Sequence, residues 1–363
     1  MSLQNIIKRK SKLLLPFSWL YSAGVAAYNK IYDWGLKKSF LPELPVICVG
    51  NLAVGGTGKT PMVEYLLRLL SKDFKVATIS RGYKRQSTGV IVADENTTTK
   101  EIGDEPMQFH AKFPDVKVVV GERRVPALEM LLEKYPETQI VILDDAFQHR
   151  AISAGLNILL TDHSNLFTDD YQLPAGELRD LKSNYKKADV IVVTKSPAGL
   201  LEDERKKIIE KIKPLSHQTV FFTSIRYEAP YNIFDNTLRP LSAISSVLMV
   251  TGIASPVSMA EYLEDKGLKP ELYTFPDHHN FTPKDINGIR ELFQSIKDSN
   301  KIIITTEKDA MRLRQFPDGL KGLPVFALPI RHHFLFNDDM RFEKLIHQFV
   351  TKKSNYGKKK QAG

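Results

Sequence analysis

The sequence predicts an α/β fold with a helix-covered, mostly parallel sheet, a second and smaller α/β domain, and an N-terminal membrane-associating helix. Short apolar runs of strand length alternate with helical spacers from residue 45 onward. A segment rich in Pro, Asn and Tyr, residues 226–241, divides this series in two. A stretch rich in Leu, Trp, Tyr and Lys precedes the first strand. Alternating strands and helices are typical of a parallel sheet covered by helices.

The composition is that of a globular protein with excess positive charge. Of 363 residues, 42% are hydrophobic and 26% charged, which excludes wholesale disorder. Cys48 is the single cysteine, so a disulfide framework within the chain is excluded and an intracellular, reducing compartment is consistent. The net charge of +9 fits nucleic acid, an anionic membrane or a phosphorylated substrate, and it does not choose among them.

Residues 1–40 form an N-terminal segment in which four basic residues, between positions 8 and 12, precede apolar ones. A membrane-spanning helix needs about 20 unbroken apolar residues. Here Pro16, Ser18 and Ser22 interrupt the stretch, so we expect an amphipathic helix lying at a membrane surface instead. A helix packed against the body of the protein is the alternative.

The strand pattern predicts two domains, residues 41–225 and 245–350, joined by a linker at 226–244 and followed by a basic tail at 351–363. Apolar runs bounded by helical patterns are typical of buried parallel strands. The predicted strands cover residues 46–49, 76–79, 116–120, 140–143, 158–160, 190–193 and 220–224, and then 247–250, 301–305 and 325–328.

A glycine-rich loop follows the first predicted strand and opens a helix; it reads Val54-Gly55-Gly56-Thr57-Gly58-Lys59-Thr60. Glycines let backbone N–H groups face phosphate oxygens, and the helix N-terminus adds a positive dipole end. The loop therefore predicts ATP binding, with Lys59 reaching the β- and γ-phosphates. Ala53 stands where the full phosphate-loop pattern has glycine, so the match is strong but incomplete.

An acidic pair, Asp144 and Asp145, follows four apolar residues at the end of another predicted strand. A carboxylate there can bind Mg²⁺ directly or through water, together with the Thr60 hydroxyl. Alone, such a pair is often a turn or a helix cap, but beside a phosphate loop the metal function is favoured. The sequence therefore predicts a P-loop NTPase-type sheet with an Mg²⁺ site at these three residues.

Eight short motifs extend over nearly the whole chain. They are Val49–Pro61, Ser80–Tyr83, Gly103–Pro106, Gly121–Arg124, Asp144–His149, Leu173–Arg179, Asp277–Thr282 and Thr306–Ala310. Each is weak alone, but in this order they resemble the motifs of the tetraacyldisaccharide 4'-kinase (lipid A 4'-kinase) family. Two residues depart from the family pattern: Ala146 replaces a frequent glycine, and Asp180 stands where Glu is expected.

The resemblance implies transfer of the ATP γ-phosphate to the 4'-hydroxyl of tetraacyldisaccharide 1-phosphate, giving lipid IVA in lipid A biosynthesis. ATP and Mg²⁺ are the implied cofactors. The lipid A precursor and a membrane surface are the implied partners, with no nucleic acid and no obligate protein partner. The implied location is peripheral, on the cytoplasmic face of the inner membrane of a Gram-negative envelope.

The resemblance also implies a catalytic pair drawn from both domains, Asp104 and His278, acting beside the catalytic Lys59. Domain closure would assemble this pair, and Asp277 could orient the imidazole ring. Helix capping is the alternative role for Asp104. An ordinary loop position or a metal site is the alternative for His278.

Four arginines and one tyrosine are candidates for substrate binding. The guanidinium fork matches phosphate oxygens, so the arginines could hold the 1-phosphate of the lipid or the ATP phosphates, and the division among them stays open. Surface salt bridging is the alternative. Tyr83 could lie along the sugar, and Lys308 could contact the nucleotide. The five candidates are Arg81, Tyr83, Arg123, Arg124 and Arg179.

Other functions on this fold stay open. A partitioning or metal-insertion ATPase shares the phosphate loop, but many of those place a lysine where this chain has Val54. Another small-molecule kinase or an ATP-dependent ligase would share the fold, since fold does not determine substrate. A GTPase is disfavoured, because residues 194–197 lack the acid that binds guanine. A nucleic-acid-binding module would leave the phosphate loop unused, and no such motif is present.

Overall fold

The computed structural model describes the backbone of residues 13–361 and side chains up to residue 353. The basic start of the N-terminal segment, residues 8–12, lies outside this range, as do the side chains of the predicted basic tail beyond residue 353. The described chain is built around two sheets, which confirms the predicted α/β class with a larger, mostly parallel sheet and a smaller second one.

The larger sheet places the phosphate loop near its middle. Its strands are β1 (Val46–Asn51), β2 (Val76–Ser80), β3 (Ile91–Val92), β4 (Lys117–Val120), β5 (Ile140–Asp144), β6 (Leu156–Asp162), β7 (Val190–Thr194), β8 (Thr219–Tyr227) and β14 (Ile330–Phe334). Their order is β14-β8-β7-β6-β1-β5-β2-β4-β3. Neighbours are parallel except at the two edges, where β3 and β14 run antiparallel. Open parallel sheets bind ligands at the carboxyl ends of such strands.

Helices cover this sheet on both faces. Every residue of β1 is buried, and successive residues enter different apolar clusters: Val46 and Cys48 face one side, Ile47 and Val49 the other. This explains the continuous apolar run, since a strand covered on both faces has no polar side. The helices are α1 (Leu15–Asp33), α2 (Lys59–Leu70), α3 (Thr99–Ile102), α4 (Asp104–Lys112), α5 (Arg124–Lys134), α6 (Glu202–Ile212), α7 (Val257–Asp265), α8 (Pro283–Ser295), α9 (Glu307–Leu313), α10 (Pro317–Leu320) and α11 (Asp339–Gln361).

The smaller sheet has five strands. They are β9 (Tyr231–Asn232), β10 (Ser246–Thr251), β11 (Pro270–Thr274), β12 (Lys301–Thr306) and β13 (Val325–Leu328), in the order β11-β10-β12-β13-β9. All pairs are parallel except β9 with β13. The predicted linker at 226–244 is therefore wrong in part, because β9 lies within it and forms an edge of the smaller sheet.

The chain returns to the larger sheet after β13, so the predicted end of the smaller domain at residue 350 is wrong. Strand β14 pairs with β8, and α11 packs on the same side as α2. The ring of Phe334 lies 5.2 Å from that of Tyr65 and 4.5 Å from that of Phe342. We call the part of the chain built around the nine-stranded sheet the larger unit and the part built around the five-stranded sheet the smaller unit. Residues 330–350 thus complete the core of the larger unit, and the predicted tail begins inside α11.

Helix α1 lies on the surface of the larger unit and is attached to it by a few hydrogen bonds. The Ser18 hydroxyl donates to the carbonyl of Gln172 at 2.8 Å, and the Tyr21 hydroxyl donates to the carbonyl of Arg179 at 2.9 Å. Several large apolar side chains at this helix stay exposed, among them Leu13, Phe17, Trp19 and Leu20. Within residues 13–361, no helix is both long and apolar enough to span a bilayer.

Candidate active site

The phosphate loop joins β1 to α2 in the predicted order of strand, loop and helix. Gly55 and Gly58 have φ angles of +99° and +84°, which favour glycine. A Cβ on Gly58 would lie 3.0 Å from ring atoms of His332, so a side chain there would push against that ring. Gly58 is also the N-cap of α2, which begins at Lys59. The loop thus presents the N-terminus of a 12-residue helix, a geometry that binds phosphate.

Two side chains from distant strands hold the loop backbone. Nε2 of His332, on β14, donates to the carbonyl of Gly58 at 2.9 Å. The hydroxyl of Thr194, at the end of β7, donates to the carbonyl of Thr57 at 2.9 Å. Burial lowers the pKa of His332 to about 4, so its ring is neutral at pH 7 and Nδ1 accepts from the Thr223 hydroxyl at 2.9 Å.

Lys59 lies in a compact polar cluster at the carboxyl end of β1. Its Nζ is 3.2 Å from Oδ1 of Asn51 and 3.7 Å from Oδ1 of Asp145. Arg179 donates from Nη1 to Oδ2 of Asp145 at 3.0 Å, and its Nη2 contacts the other carboxylate oxygen. Burial would raise the pKa of Asp145, but the hydrogen bonds from Arg179 and the charge of Lys59 bring it below its usual value. Asp145 therefore accepts from Arg179 and forms a longer ion pair with Lys59 at the phosphate loop.

Asp144 ends β5 and fits a cation-binding role. It is 7% exposed, and its Oδ1 has no hydrogen-bond partner among the described residues. Burial, reinforced by the charge of Asp145, raises the pKa of Asp144 to about 7. A buried carboxylate oxygen without a donor beside a phosphate loop is suited to Mg²⁺, which prefers oxygen ligands. Thr60, the other predicted ligand, lies in the first turn of α2.

The structure brings Asp104 and His278 together across the two units. Nδ1 of His278 lies 3.2 Å from Oδ2 of Asp104, and both side chains are nearly buried. Asp104 is the first residue of α4, where the helix dipole favours a carboxylate, and Gly103 takes the N-cap position. Asp104 is therefore not the N-cap residue of this helix. The ring of Tyr83 lies 5.6 Å from that of His278, edge to face.

The loop that carries His278 is held by local contacts. Its backbone N–H donates to the carbonyl of Gly252 at 3.0 Å, and its φ of +60° is unusual for a residue with a side chain. Nε2 of His278 lies 3.9 Å from Oδ2 of Asp277, so the predicted orienting contact is long. His279 instead contacts Asp285 at 3.0 Å. No group of three or more potential metal ligands from His, Cys, Asp and Glu occurs within the described residues.

Arg312, on α9, is a site residue that the sequence interpretation missed. Its Nη2 lies 3.2 Å from Oδ2 of Asp104 and 3.3 Å from Oδ1 of Asp309. Its Nη1 donates to the carbonyl of His279 at 2.7 Å. It lies two residues beyond the Thr306–Ala310 motif, and that proximity was the one available signal.

A buried ionic network joins the phosphate-loop helix to the smaller unit. Nζ of Lys112, at the end of α4, lies 2.6 Å from Oε2 of Glu64 and 2.5 Å from Oε1 of Glu307. Glu64 is on α2, and Glu307 begins α9. Gln108 donates to Oε1 of Glu64 at 2.8 Å. At the other end of α4, Lys308 pairs with Glu105 in a contact between units, and its nucleotide contact stays a prediction.

The candidate substrate arginines fall into two groups. Arg124 is 2% exposed and donates to the carbonyl oxygens of Gly121 and Asp145, at 3.2 and 3.3 Å, while Arg179 is paired with Asp145. These two therefore support the loop of the acidic pair. Arg81, which follows β2, and Arg123 are exposed, as is Tyr83, which is 61% exposed. Within the described residues, the side chains of these three exposed residues make no hydrogen bond or ion pair.

An apolar cavity of about 580 Å³ lies between α1 and the polar cluster. Phe17, Leu20 and Val25 of α1 form part of its wall. Gln148 and Arg179, which contact the site's Asn51, form another part. The cavity therefore connects the exposed apolar surface of α1 with the phosphate-loop cluster.

Comparisons with known proteins agree on one family. The family model described as tetraacyldisaccharide-1-P 4'-kinase (LpxK) matches residues 10–351. A Bacteroides fragilis protein named tetraacyldisaccharide 4'-kinase is 41% identical over 357 residues, covering 95% of each chain. A protein of the same name from Flavobacterium johnsoniae is 42% identical and covers 93% of this chain and 97% of its own.

Solved structures give the same result. A crystal structure of LpxK from Aquifex aeolicus in complex with ATP is 31% identical, with a TM-score of 0.73. The match covers 94% of this chain and 99% of that chain. Because the family model and these relatives cover nearly the full length, the chain belongs to the tetraacyldisaccharide-1-P 4'-kinase family.

Proposed function

We propose that this chain transfers the γ-phosphate of ATP to the 4'-hydroxyl of tetraacyldisaccharide 1-phosphate, giving lipid IVA. The observation that carries the proposal is the contact of Asp104 with His278 at 3.2 Å, formed across the two units beside the phosphate loop. A sugar hydroxyl is a weak nucleophile, and a positioned base is needed to remove its proton. Family membership supports the donor and the acceptor.

On the acceptor side, Asp104 is the base. Its Oδ2 faces both Nδ1 of His278 and Nη2 of Arg312, whereas Oδ1 makes no hydrogen bond within the described residues. Oδ1 is then the oxygen that accepts the proton of the 4'-hydroxyl, and His278 holds the carboxylate by its other oxygen. Tyr83, exposed next to His278, lies along the sugar.

On the donor side, the phosphate loop and Lys59 hold the ATP phosphates. Backbone N–H groups of the loop and the dipole of α2 would face the phosphates, and Lys59, which lies 3.7 Å from Asp145, would neutralise charge on the transferred group. Asp144 and Thr60 would hold Mg²⁺, with Asp145 next to them. When bound, Mg²⁺ supplies charge neutralisation on the phosphate oxygens.

At the membrane, α1 is the contact. Its exposed Phe17, Trp19 and Leu20 would enter the interfacial layer, and the apolar cavity behind them takes part of an acyl chain. Arg81 and Arg123, exposed near the site, are the candidates for the lipid 1-phosphate. The chain would therefore act peripherally on the cytoplasmic face of the inner membrane, where ATP is available.

The test is transfer of label from γ-labelled ATP to tetraacyldisaccharide 1-phosphate in detergent micelles with Mg²⁺. Wild type is compared with Lys59→Ala and Asp104→Ala, and label in the lipid is followed. Loss of lipid labelling in both variants supports the donor and acceptor assignments together. If wild type hydrolyses ATP but labels no lipid, the substrate assignment is wrong and a partitioning or metal-insertion ATPase takes its place.

A further inference from the structure

One buried cation on the smaller unit touches the proposed base. The Arg312 side chain is 5% exposed, and its Nη2 lies 3.2 Å from Oδ2 of Asp104, the same oxygen that faces His278. Arg312 and His278 both belong to the smaller unit, whereas Asp104 begins α4 of the larger one. The Asp104 carboxylate is therefore contacted by two side chains of the smaller unit, His278 and Arg312.

Arg312 is fixed within its own unit. Its Nη2 is 3.3 Å from Oδ1 of Asp309, which is fully buried. Oδ2 of Asp309 accepts from the backbone N–H of Gly252 at 3.0 Å and from the Thr306 hydroxyl at 2.7 Å. Because Asp309 is itself held by two donors, this ion pair fixes the guanidinium from within the smaller unit. Such preorganisation spares the side-chain ordering cost when the units close.

The same guanidinium also reaches the loop of the catalytic histidine. Nη1 of Arg312 donates to the carbonyl of His279 at 2.7 Å, one residue after His278. One planar group thus contacts the base and the backbone that carries the base's partner. A lysine could make one of these contacts, but its single ammonium could not reproduce the fork.

From these contacts we infer that Arg312 is a positioning residue for phosphoryl transfer. It holds Asp104 and the His278 loop in register, so that Oδ1 of Asp104 faces the acceptor hydroxyl. The inference rests on the proposed role of Asp104 as the base. It makes the smaller unit part of the acceptor-activating machinery, and not solely a cover for the site.

The experiment measures kcat and KM, for ATP and for the lipid, in Arg312→Gln and Arg312→Lys. Misplacing a reacting group by about 1 Å costs on the order of 10²-fold, so Arg312→Gln should lose about 10²-fold in kcat with little change in either KM. Arg312→Lys should lose about tenfold, because it keeps the charge without the fork. Guanidinium at sub-denaturing concentrations should restore activity to Arg312→Ala.

Two further variants separate positioning from a loss of stability. Arg314→Gln, on the same stretch of chain, removes a contact to the carbonyl of Ile233 and none to Asp104 among the described residues, so it should keep wild-type kcat. The double variant Asp104→Ala with Arg312→Gln should be no slower than Asp104→Ala alone, since both act through one group. If Arg312→Gln does not fold, Arg312→Lys and its thermal midpoint carry the test.

Three results would overturn the inference. Additive losses in the double variant would show that Arg312 acts independently of Asp104. A wild-type kcat in Arg312→Gln, with Asp104→Ala inactive, would remove the positioning role while leaving the proposed function intact. An active Asp104→Ala would overturn the base assignment, and the inference with it.

Discussion

The two sides of the site are built in different ways. The phosphate-binding part of the donor side comes from one short stretch, in which β1, the phosphate loop and the start of α2 follow each other directly. The acceptor side comes from two units, and its central contact joins residues 174 positions apart. Backbone groups dominate the donor side, whereas side chains make the acceptor side.

The two sides therefore depend on different parts of the molecule. The phosphate loop is held within the larger unit, by its own backbone conformation, the helix behind it and the contacts from Thr194 and His332, so ATP binding should survive a disturbed interface. The pair of Asp104 and His278 exists only while the two units are in contact, so phosphoryl transfer should be lost when the interface is disturbed. Variants that affect one side alone are therefore the sharpest way to test the comparison.

The largest expected effect separates the two sides directly. Asp104→Asn removes the proton acceptor but keeps the shape of the side chain, so kcat for lipid phosphorylation should fall by about 10²- to 10⁴-fold. The ATP dissociation constant should stay at its wild-type value, because no phosphate-loop contact changes. Transfer is measured with labelled ATP, and ATP binding by calorimetry.

Lys59→Met is the matched variant on the donor side and should weaken both ATP binding and transfer. A large loss of ATP affinity in Asp104→Asn would show that the two sides are not separable.

The next effect tests the link between the sides. Lys112 is the cation between the buried carboxylates of Glu64 and Glu307, whose side chains are 1% and 5% exposed. Lys112→Met removes the cation between these carboxylates: Glu64 keeps its pair with Arg68 at 3.0 Å, whereas Glu307 loses its ion pair. Breaking a buried pair in this way costs about 3–5 kcal/mol. The free energy of unfolding in urea should fall accordingly.

Lys206→Met is the control, since Lys206 is 64% exposed and its partner is exposed too. It should change the unfolding free energy by less than about 0.5 kcal/mol. Equal stability of both lysine variants would mean that the network contributes nothing to holding the units together.

The sequence allowed the donor side to be predicted because its signals are local. The roles of the glycines, of Lys59 and of the acidic pair can each be predicted from neighbours in the chain. The structure places all of them at the carboxyl ends of the paired strands β1 and β5. Arg312 and His332 carry no such signal. Each acts through a fold-dependent contact, one with Asp104 and one with the carbonyl of Gly58.

The same limit explains the errors in the fold. Strands β3 and β9 have two residues each, too few for an apolar period to appear. Strand β14 was missed because its alternation includes Arg331, His332 and His333, and nothing local shows that it returns to the first sheet. The predicted domain boundary at 350 followed from that omission.

A third prediction tests whether His332, on the distant strand β14, stabilises the phosphate loop. Burial lowers the pKa of His332 from 6.5 to about 4. Between pH 4 and pH 6.5 the histidine is protonated in the unfolded chain but neutral in the folded chain. The free energy of unfolding is therefore highest above about pH 6.5 and decreases as the pH falls. The contribution lost between pH 7.5 and pH 5 is about 2 kcal/mol.

His332→Gln keeps a donor for Gly58 without a titrating ring, so its stability should fall about 2 kcal/mol less over this interval. Urea denaturation at both pH values measures the difference. His217→Gln, at an exposed position, should match the pH dependence of wild type. If His332→Gln also matches wild type, the neutral imidazole is not a stabilising support of the loop.

The smallest effect extends the acceptor side to the membrane. Leu20 on α1 and Leu201 before α6 are both exposed leucines, at 74% and 67%, so the same change to serine can be compared at two places. Inserting a leucine into the interfacial layer contributes about 1.5 kcal/mol, so Leu20→Ser should bind anionic vesicles about tenfold more weakly. Leu201→Ser should bind as wild type does. Equal vesicle binding by both variants would contradict a membrane role for α1. If α1 contacts the membrane, the Leu20 side chain enters the lipid and its loss weakens binding. If α1 is only a helix packed on the protein surface, Leu20 stays in water and its loss changes nothing.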